Sequence, residues 1–280
     1  MSKWLVLDVN YLCWRNYHTG MRDLTHNDIP TGSIFGLLKD VLSLENQFDT
    51  KNIAFCFDSK ESHRKKLFSG YKSDREKKRN EMTQEERRKY ILMVTQINIL
   101  RQDILPYLGF RNIFHEEGHE ADDMIASFCY INKDEEIIIV SADQDLYQIL
   151  NARIRIWNPT QQKMVNNKQF TKEWEVGAAQ WALVKAIAGC KSDSIPGVPG
   201  VGEKTAARFV ANTLKEGKKT EQIRAAKDLV RNNLRLTSLP FPSTPECHIQ
   251  KDIRNETSWR KIAKQYGMTS LIKTAPRFRD

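Results

Sequence analysis

The sequence predicts an α/β fold, a central and mostly parallel sheet flanked by helices, on three observations. Short runs rich in β-branched and aromatic residues, KWLVLD (3–8), NIAFCFD (52–58) and EEIIIVSAD (135–143), alternate with longer stretches of helical character at 33–47, 83–105 and 121–131. Such alternation is the pattern of parallel strands joined by helical crossovers that cover both faces of a sheet. Each of the three runs also ends at an aspartate. A chain of 280 residues with 40% hydrophobic and 28% charged content can bury a sizeable core, which excludes a wholly disordered protein.

The first run ends in Asp8, the second in Asp58 and the third in Asp143, with Asp145 close behind. Ligands of open parallel sheets gather beyond the carboxyl ends of the strands, so these four carboxylates are expected to converge on one rim. Any one of them also suits the N-cap of the following helix. The third helix is preceded by GHEADD (118–123), which crowds Glu120, Asp122 and Asp123 together. Acids in a first turn complement the helix dipole; a divalent cation among them is the other reason for such crowding. A regular helix spreads the three around its axis, so they need not meet one ion. Hard oxygen ligands in this number point to Mg2+ or Mn2+. His115 and His119 lack the common helical face and the third ligand that zinc requires.

Net charge is +9, unevenly spread: residues 60–89 hold 12 basic against 6 acidic side chains, residues 204–235 hold 9 against 3, and the remainder is net −3. Two basic surfaces flanking an acidic centre fit a phosphate-bearing partner. In the first surface Phe68, Tyr71 and Tyr90 interleave the charges as stacking partners for bases, although charge runs also form plain solvated faces. From residue 178, AAQWALVKAIAGC, KSDSIPGVPGVG and EKTAARFVANTLKEG read as helix, hairpin, helix. The segment GVPGVGEKTA (197–206) is no P-loop, because Glu203 separates Gly202 from Lys204. Its glycines still open a basic helix whose N–H groups can meet a phosphate, which makes Gly197, Gly200, Gly202, Lys204 and Arg208 candidate contacts to a duplex backbone. The tail after LPFPSTP (239–245), with Trp259 and Tyr266, reads as packing. Five well-separated cysteines form no C-x-x-C motif, and no apolar stretch reaches the length of a membrane span, so a reducing cytoplasmic compartment is expected.

GHEADD, SADQD and SIPGVPGVGEKTAARF, in this order, resemble the flap endonuclease and 5′-nuclease family, which includes stand-alone phage enzymes and the N-terminal nuclease domain of bacterial DNA polymerase I. The likeness runs from Asp8 to about residue 212. It implies a PIN-like nuclease core at 1–177 with a basic helical arch at about 60–90. A helix-hairpin-helix duplex-binding region with C-terminal helices would follow at 178–280. Asp8, Asp58, Glu120, Asp122, Asp123, Asp143, Asp145 and Asp193 fall on the family's metal-site acids. Arg64, Lys72 and Arg75 fall on the basic residues at the foot of the arch, where they would neutralise charge on the scissile phosphate, with Tyr71 among the DNA contacts. The hairpin at 197–206 corresponds to the element that grips the downstream duplex, in relatives with a bound K+.

The activity so implied is a structure-specific 5′-3′ exonuclease and flap endonuclease acting at single-strand/duplex junctions. It would use two or more Mg2+ ions, with Mn2+ able to substitute, and would serve primer removal in replication, or repair. RNA–DNA hybrid and ribonuclease H activity belong to the same expectation. So do a monomeric state, a cytoplasmic location (the host's, if phage-encoded) and a polymerase or single-strand binding protein as partner. The chain stops where a polymerase would begin, so an independent nuclease is expected. Two departures stand out. Asp8-Val9-Asn10 replaces the family's opening D-G-x-N, and GCKSDS replaces G-D-x-x-D-N, so that Cys190 takes an aspartate's place and Ser194 an asparagine's. A thiol is a poor Mg2+ ligand, so the second ion site is expected to be weak. A junction-binding relative with faded catalysis and a PIN-type ribonuclease are the alternatives.

Overall fold

The computed structural model describes residues 1–273; residues 274–280 of the expected C-terminal region lie outside the described residues. The sheet is built from β1 (Lys3–Asp8), β2 (Asn52–Cys56), β3 (Ile113–Phe114), β4 (Glu136–Val140), β5 (Ile154–Asn158) and β6 (Lys163–Val165). Their order is β3-β2-β1-β4-β5-β6, parallel throughout except for β6, which runs antiparallel to β5. In the middle, Leu7 of β1 lies opposite Phe55 on one side and Val140 on the other. The chain therefore steps from β1 to one neighbour and later to the other, which opens a crevice beyond the carboxyl end of β1.

Strand alternation divides the core. Trp4, Val6, Ala54, Cys56, Ile137 and Ile139 face one apolar layer, while Leu5, Leu7, Ile53, Phe55, Ile138 and Val140 face the other. Helices α1 (Val9–Asn16), α2 (Gly32–Phe48) and the C-terminal α9 (Glu256–Gln265) cover the second layer, together with the apolar end of α5 (Gln84–Ile99). Helices α6 (Ala121–Ile131), α7 (Trp181–Ala188) and α8 (Glu203–Val210) cover the first. Trp181 and Val184 share that layer with Val6 and Ile139, so packing runs unbroken across residues 177 and 178. The tail packs as its aromatic content suggests: Trp259 is buried and its Nε1 donates to the Leu271 carbonyl at 3.1 Å.

The basic stretch forms α3 (His63–Leu67), α4 (Ser73–Asn80) and the start of α5, which begins at a Thr83–Glu86 capping box. Two expected strands are shorter than their sequence runs. Only β1 ends on its aspartate; β2 stops at Cys56 and β4 at Val140. After β4, Ser141 Oγ and the Asp143 carboxylate accept local backbone N–H groups, and such bonds compete with the sheet ladder. The helix expected from residue 203 ends at Val210, because Asn212 adopts a left-handed conformation (φ 57°).

The α7–α8 turn is held by close backbone approach. A Cβ on Gly197 would sit 2.0 Å from the Ala188 carbonyl oxygen, whereas one on Gly202 would meet open space. Gly197→Ala is therefore expected to cost about 1–3 kcal/mol and Gly202→Ala less than about 0.5 kcal/mol, as read by urea unfolding. Equal effects would show that the turn does not pack as described.

Candidate active site

Asp8 ends the central strand and is buried. Its Oδ1 accepts from Tyr11 N at 3.0 Å, capping α1, and its Oδ2 accepts from Ser141 Oγ at 2.9 Å. The same Ser141 hydroxyl accepts from Asp143 N at 3.1 Å, so one buried serine ties the two acids together. Asp58 lies exposed at the rim; its Oδ1 accepts from Ala121 N at 2.9 Å, and its own N–H donates to Asn10 Oδ1 at 3.1 Å. Both carboxylates thus cap helices while also facing the crevice, and a cap does not exclude a ligand. Asp122, in the first turn of α6, completes the group. Burial, then repulsion from Asp143, Asp8 and Asp58, pushes its carboxyl well above the usual range. Burial and Asp58 push Asp8 up to about 7. Asp143 is raised in the same direction, by burial and by Asp145. Acids that raise one another in this way, relieved only in part by Lys72 and with no salt bridge of their own among the described residues, suit hard divalent cations.

A basic wall stands beside them. Lys72 Nζ lies 2.8 Å from Glu120 Oε1 and 4.0 Å from Asp193 Oδ1; Arg75 Nη2 lies 2.9 Å from Asp193 Oδ1. Burial alone would raise Glu120, but Lys72 and Arg64 bring its carboxyl down to about 2. A cavity of about 590 Å3 opens next to Lys72 and Glu120, with Lys65, Lys66 and Arg79 on its walls. Tyr71 is buried, and its hydroxyl donates to Glu120 Oε2 at 2.8 Å, with Asp193 Oδ2 3.3 Å away. Tyr71 also lines that cavity, but so little of it is exposed that its ring does not present the open stacking face expected for it.

Two further expected roles are corrected by geometry. Arg64 is buried, with both terminal nitrogens 2.7 Å from the Asp123 oxygens and Nε donating to the Leu236 carbonyl at 2.8 Å. It braces the floor of the site and does not point a free donor at a phosphate. Asp123 also accepts from Phe241 N at 2.7 Å and from Glu120 N at 3.0 Å, which fills its lone pairs and leaves none for an ion. The helix separates Asp123 from Asp122 as the axial spread of GHEADD implies.

Asp145, Cys190 and Asp193 form a second group, with one ligand atom of each within 4.8 Å of the others. Lys185, a buried lysine on α7, lies 3.1 Å from Asp145 Oδ1 and 2.9 Å from Glu203 Oε1. Burial raises the carboxyls of Asp145 and Asp193, and burial with Asp145 pushes the Cys190 thiol up to about 11. Farther along, Gly200, Gly202, Lys204 and Arg208 are exposed, whereas Gly197 is consumed by packing against Ala188. Lys204 Nζ sits 3.8 Å over the Trp174 ring and donates to the Glu173 carbonyl at 2.9 Å.

Sequence reasoning missed Ser141, Asn10 and Lys185. Ser141 stood inside SADQD as an unremarked letter, and Lys185 is the single charge in the apolar run WALVKAIA, a signal that was available.

Residues 3–175 match the family model described as 5′-3′ exonuclease, N-terminal resolvase-like domain. The chain belongs to the 5′-3′ exonuclease family. It is an enzyme, a nuclease. It is 28% identical over 250 residues to a 5′-3′ exonuclease of Buchnera aphidicola, covering 88% of this chain and 79% of that protein. It is 29% identical to the thermostable DNA polymerase I of Thermus aquaticus over 74% of this chain, but spans only 23% of the polymerase. The phage T5 5′-exonuclease, solved with zinc, has the same fold with a TM-score of 0.72 at 19% identity, over 98% of this chain and 100% of that one. The T5 flap endonuclease in a pseudo-enzyme-product complex with DNA and metal ions gives a TM-score of 0.71 at 18% identity, over 98% of this chain and 99% of that one. Among the described residues no helix is long and apolar enough to cross a membrane.

The two kinds of acid respond oppositely to neutralisation. Arg64→Ala or Asp123→Ala removes one half of a buried pair and is expected to cost about 3–5 kcal/mol. Asp122→Asn removes a repelled charge and is expected to leave the metal-free protein as stable or more so. Urea unfolding in EDTA checks both; destabilisation by Asp122→Asn would assign Asp122 a structural role.

Proposed function

We propose that the protein hydrolyses phosphodiesters in DNA at a junction of single and double strands, working from a 5′ end or flap in replication primer removal or repair. The observation that carries this is the meeting of Asp8, Asp58, Asp122 and Asp143 at one crevice, beside Lys72 and Arg75. Those four acids, with Glu120 adjoining, would hold Mg2+, or Mn2+ in its place. Such ions lower the pKa of a bound water and stabilise the attacking and leaving oxygens of the phosphodiester. Ser141 keeps Asp8 and Asp143 oriented, and the Arg64–Asp123 brace fixes the N-terminus of α6, which carries Asp122. Lys72 and Arg75, released from Glu120 and Asp193, would neutralise charge on the scissile phosphate. The nuclease core is proposed to span 1–177, with α3, α4 and α5 beside the entering single strand. The region from 178 would hold duplex backbone through Gly200, Gly202, Lys204 and Arg208; K+ at that turn rests on the sequence resemblance alone.

One observation favours a second reading. The thiol of Cys190 suits Mg2+ poorly, which would leave a junction-binding protein of reduced activity. A 5′-labelled DNA flap, plain duplex and free strand, each incubated with Mg2+, Mn2+ or EDTA, separate the cases. The expected result is metal-dependent cutting of the flap, lowered at least about 100-fold by Asp143→Asn, with DNA binding retained and falling steeply with salt. Binding without cutting in either metal favours the second reading, and preference for free RNA overturns both.

A further inference from the structure

We infer that Asp145, Cys190 and Asp193 form a binding site for a thiophilic divalent cation of the Zn2+, Co2+ and Cd2+ class, chemically distinct from the all-oxygen group around Asp8. The spacing fits. Cys190 Sγ lies 3.8 Å from Asp145 Oδ2. Tetrahedral Zn2+ with bonds of about 2.3 Å to sulfur and about 2.0 Å to oxygen places those atoms about 3.5 Å apart. Asp193 closes the triangle within 4.8 Å. Three protein ligands leave a fourth position open, the pattern of a site that binds water or substrate.

The surroundings are arranged for these ligands. Asp145 is divided between two partners: Oδ1 faces Lys185 at 3.1 Å and Oδ2 faces the thiol. Lys185 thus neutralises Oδ1 as a close ion pair, while Oδ2 is left turned toward the thiol. Ser192 Oγ lies 3.0 Å from Cys190 Sγ, where it can donate to a thiolate, and Arg75 and Tyr71 orient Asp193. The Cys190–Ile195 bridge, with N–O distances of 3.0 and 2.9 Å in the two directions, fixes the backbone that carries the cysteine. Mg2+ prefers near-octahedral oxygen coordination and gains little from a thiol, whereas Zn2+ or Co2+ displaces the thiol proton to solvent and binds the sulfur.

The inference rests on the crevice being a cation-binding centre, as in the proposed nuclease, but its readout does not depend on cleavage. Titrating the full-length protein with Co2+ in a large excess of Mg2+ is expected to produce a thiolate-to-cobalt charge-transfer absorption that saturates at one ion per chain. Cys190→Ser should lose it, Asp145→Asn should weaken Co2+ binding by about tenfold or more, and Cys129→Ser, in the core, should change nothing. Should Cys190→Ser prove unfolded by circular dichroism, Cys190→Asp serves instead: it should lose the absorption and let Mg2+ displace Co2+ in calorimetry. Absence of the band in the natural protein, or its survival without Cys190, overturns the site. Either result leaves the flap assay to stand or fall by itself.

Discussion

The arrangement depends on one electrostatic conflict. Asp8, Asp58, Asp122 and Asp143 come from four places in the chain and face a single crevice at the carboxyl edge of a parallel sheet, where mutual repulsion opposes their charges and, for Asp8, Asp122 and Asp143, burial adds to it. The fold imposes this because β1 lies between β2 and β4, so the segments leaving all three open at the same edge. Helix caps hold some of these carboxylates in place, Asp8 for α1 and Asp58 for α6.

Around that conflict the protein sorts its acids by the cations it supplies. Asp123 is neutralised by Arg64 and becomes part of the frame. Glu120 is neutralised by Lys72, and Asp193 by Arg75, pairs that are partly open to solvent and can rearrange. Asp145 leans on Lys185. Asp8, Asp58, Asp122 and Asp143 receive no salt bridge of their own among the described residues, which sets them apart from the paired acids. Charge patterning is thus the device by which one set of carboxylates yields a structural brace, a basic wall and a crevice whose acids lack close cations, the crevice proposed above to hold the metal.

Much of this was legible in the sequence because it follows from periodicity. Strand alternation and the aspartates after each run determine which residues share the rim, and GHEADD at a helix start marks Asp122. What could not be read was direction. Nothing in the spelling of Asp122-Asp123 tells which carboxylate turns to the crevice and which to Arg64, since the partner lies 59 positions away. Tyr71 read as a stacking surface because exposure depends on Cys190, Ile195 and Leu236, which pack against it from another region. Gly197 read like Gly200 and Gly202, yet only the packed structure brings the Ala188 carbonyl against it.

The central claim is that buried acids repel one another until a hard dication relieves them, and thermal unfolding across pH with EDTA or with saturating Mg2+ tests it most directly. Asp8 has its carboxyl raised from an ordinary 3.8 to about 7 in the folded chain, so between those values the native state keeps a proton that the unfolded state releases. Its contribution to metal-free stability is full below pH 4 and is lost as pH rises toward 7, and Asp122 and Asp143 act in the same sense. The rise in Tm produced by Mg2+ is expected to grow steadily over that interval, and Asp122→Asn to flatten it. An Mg2+ increment that is absent, or constant with pH, would contradict that claim.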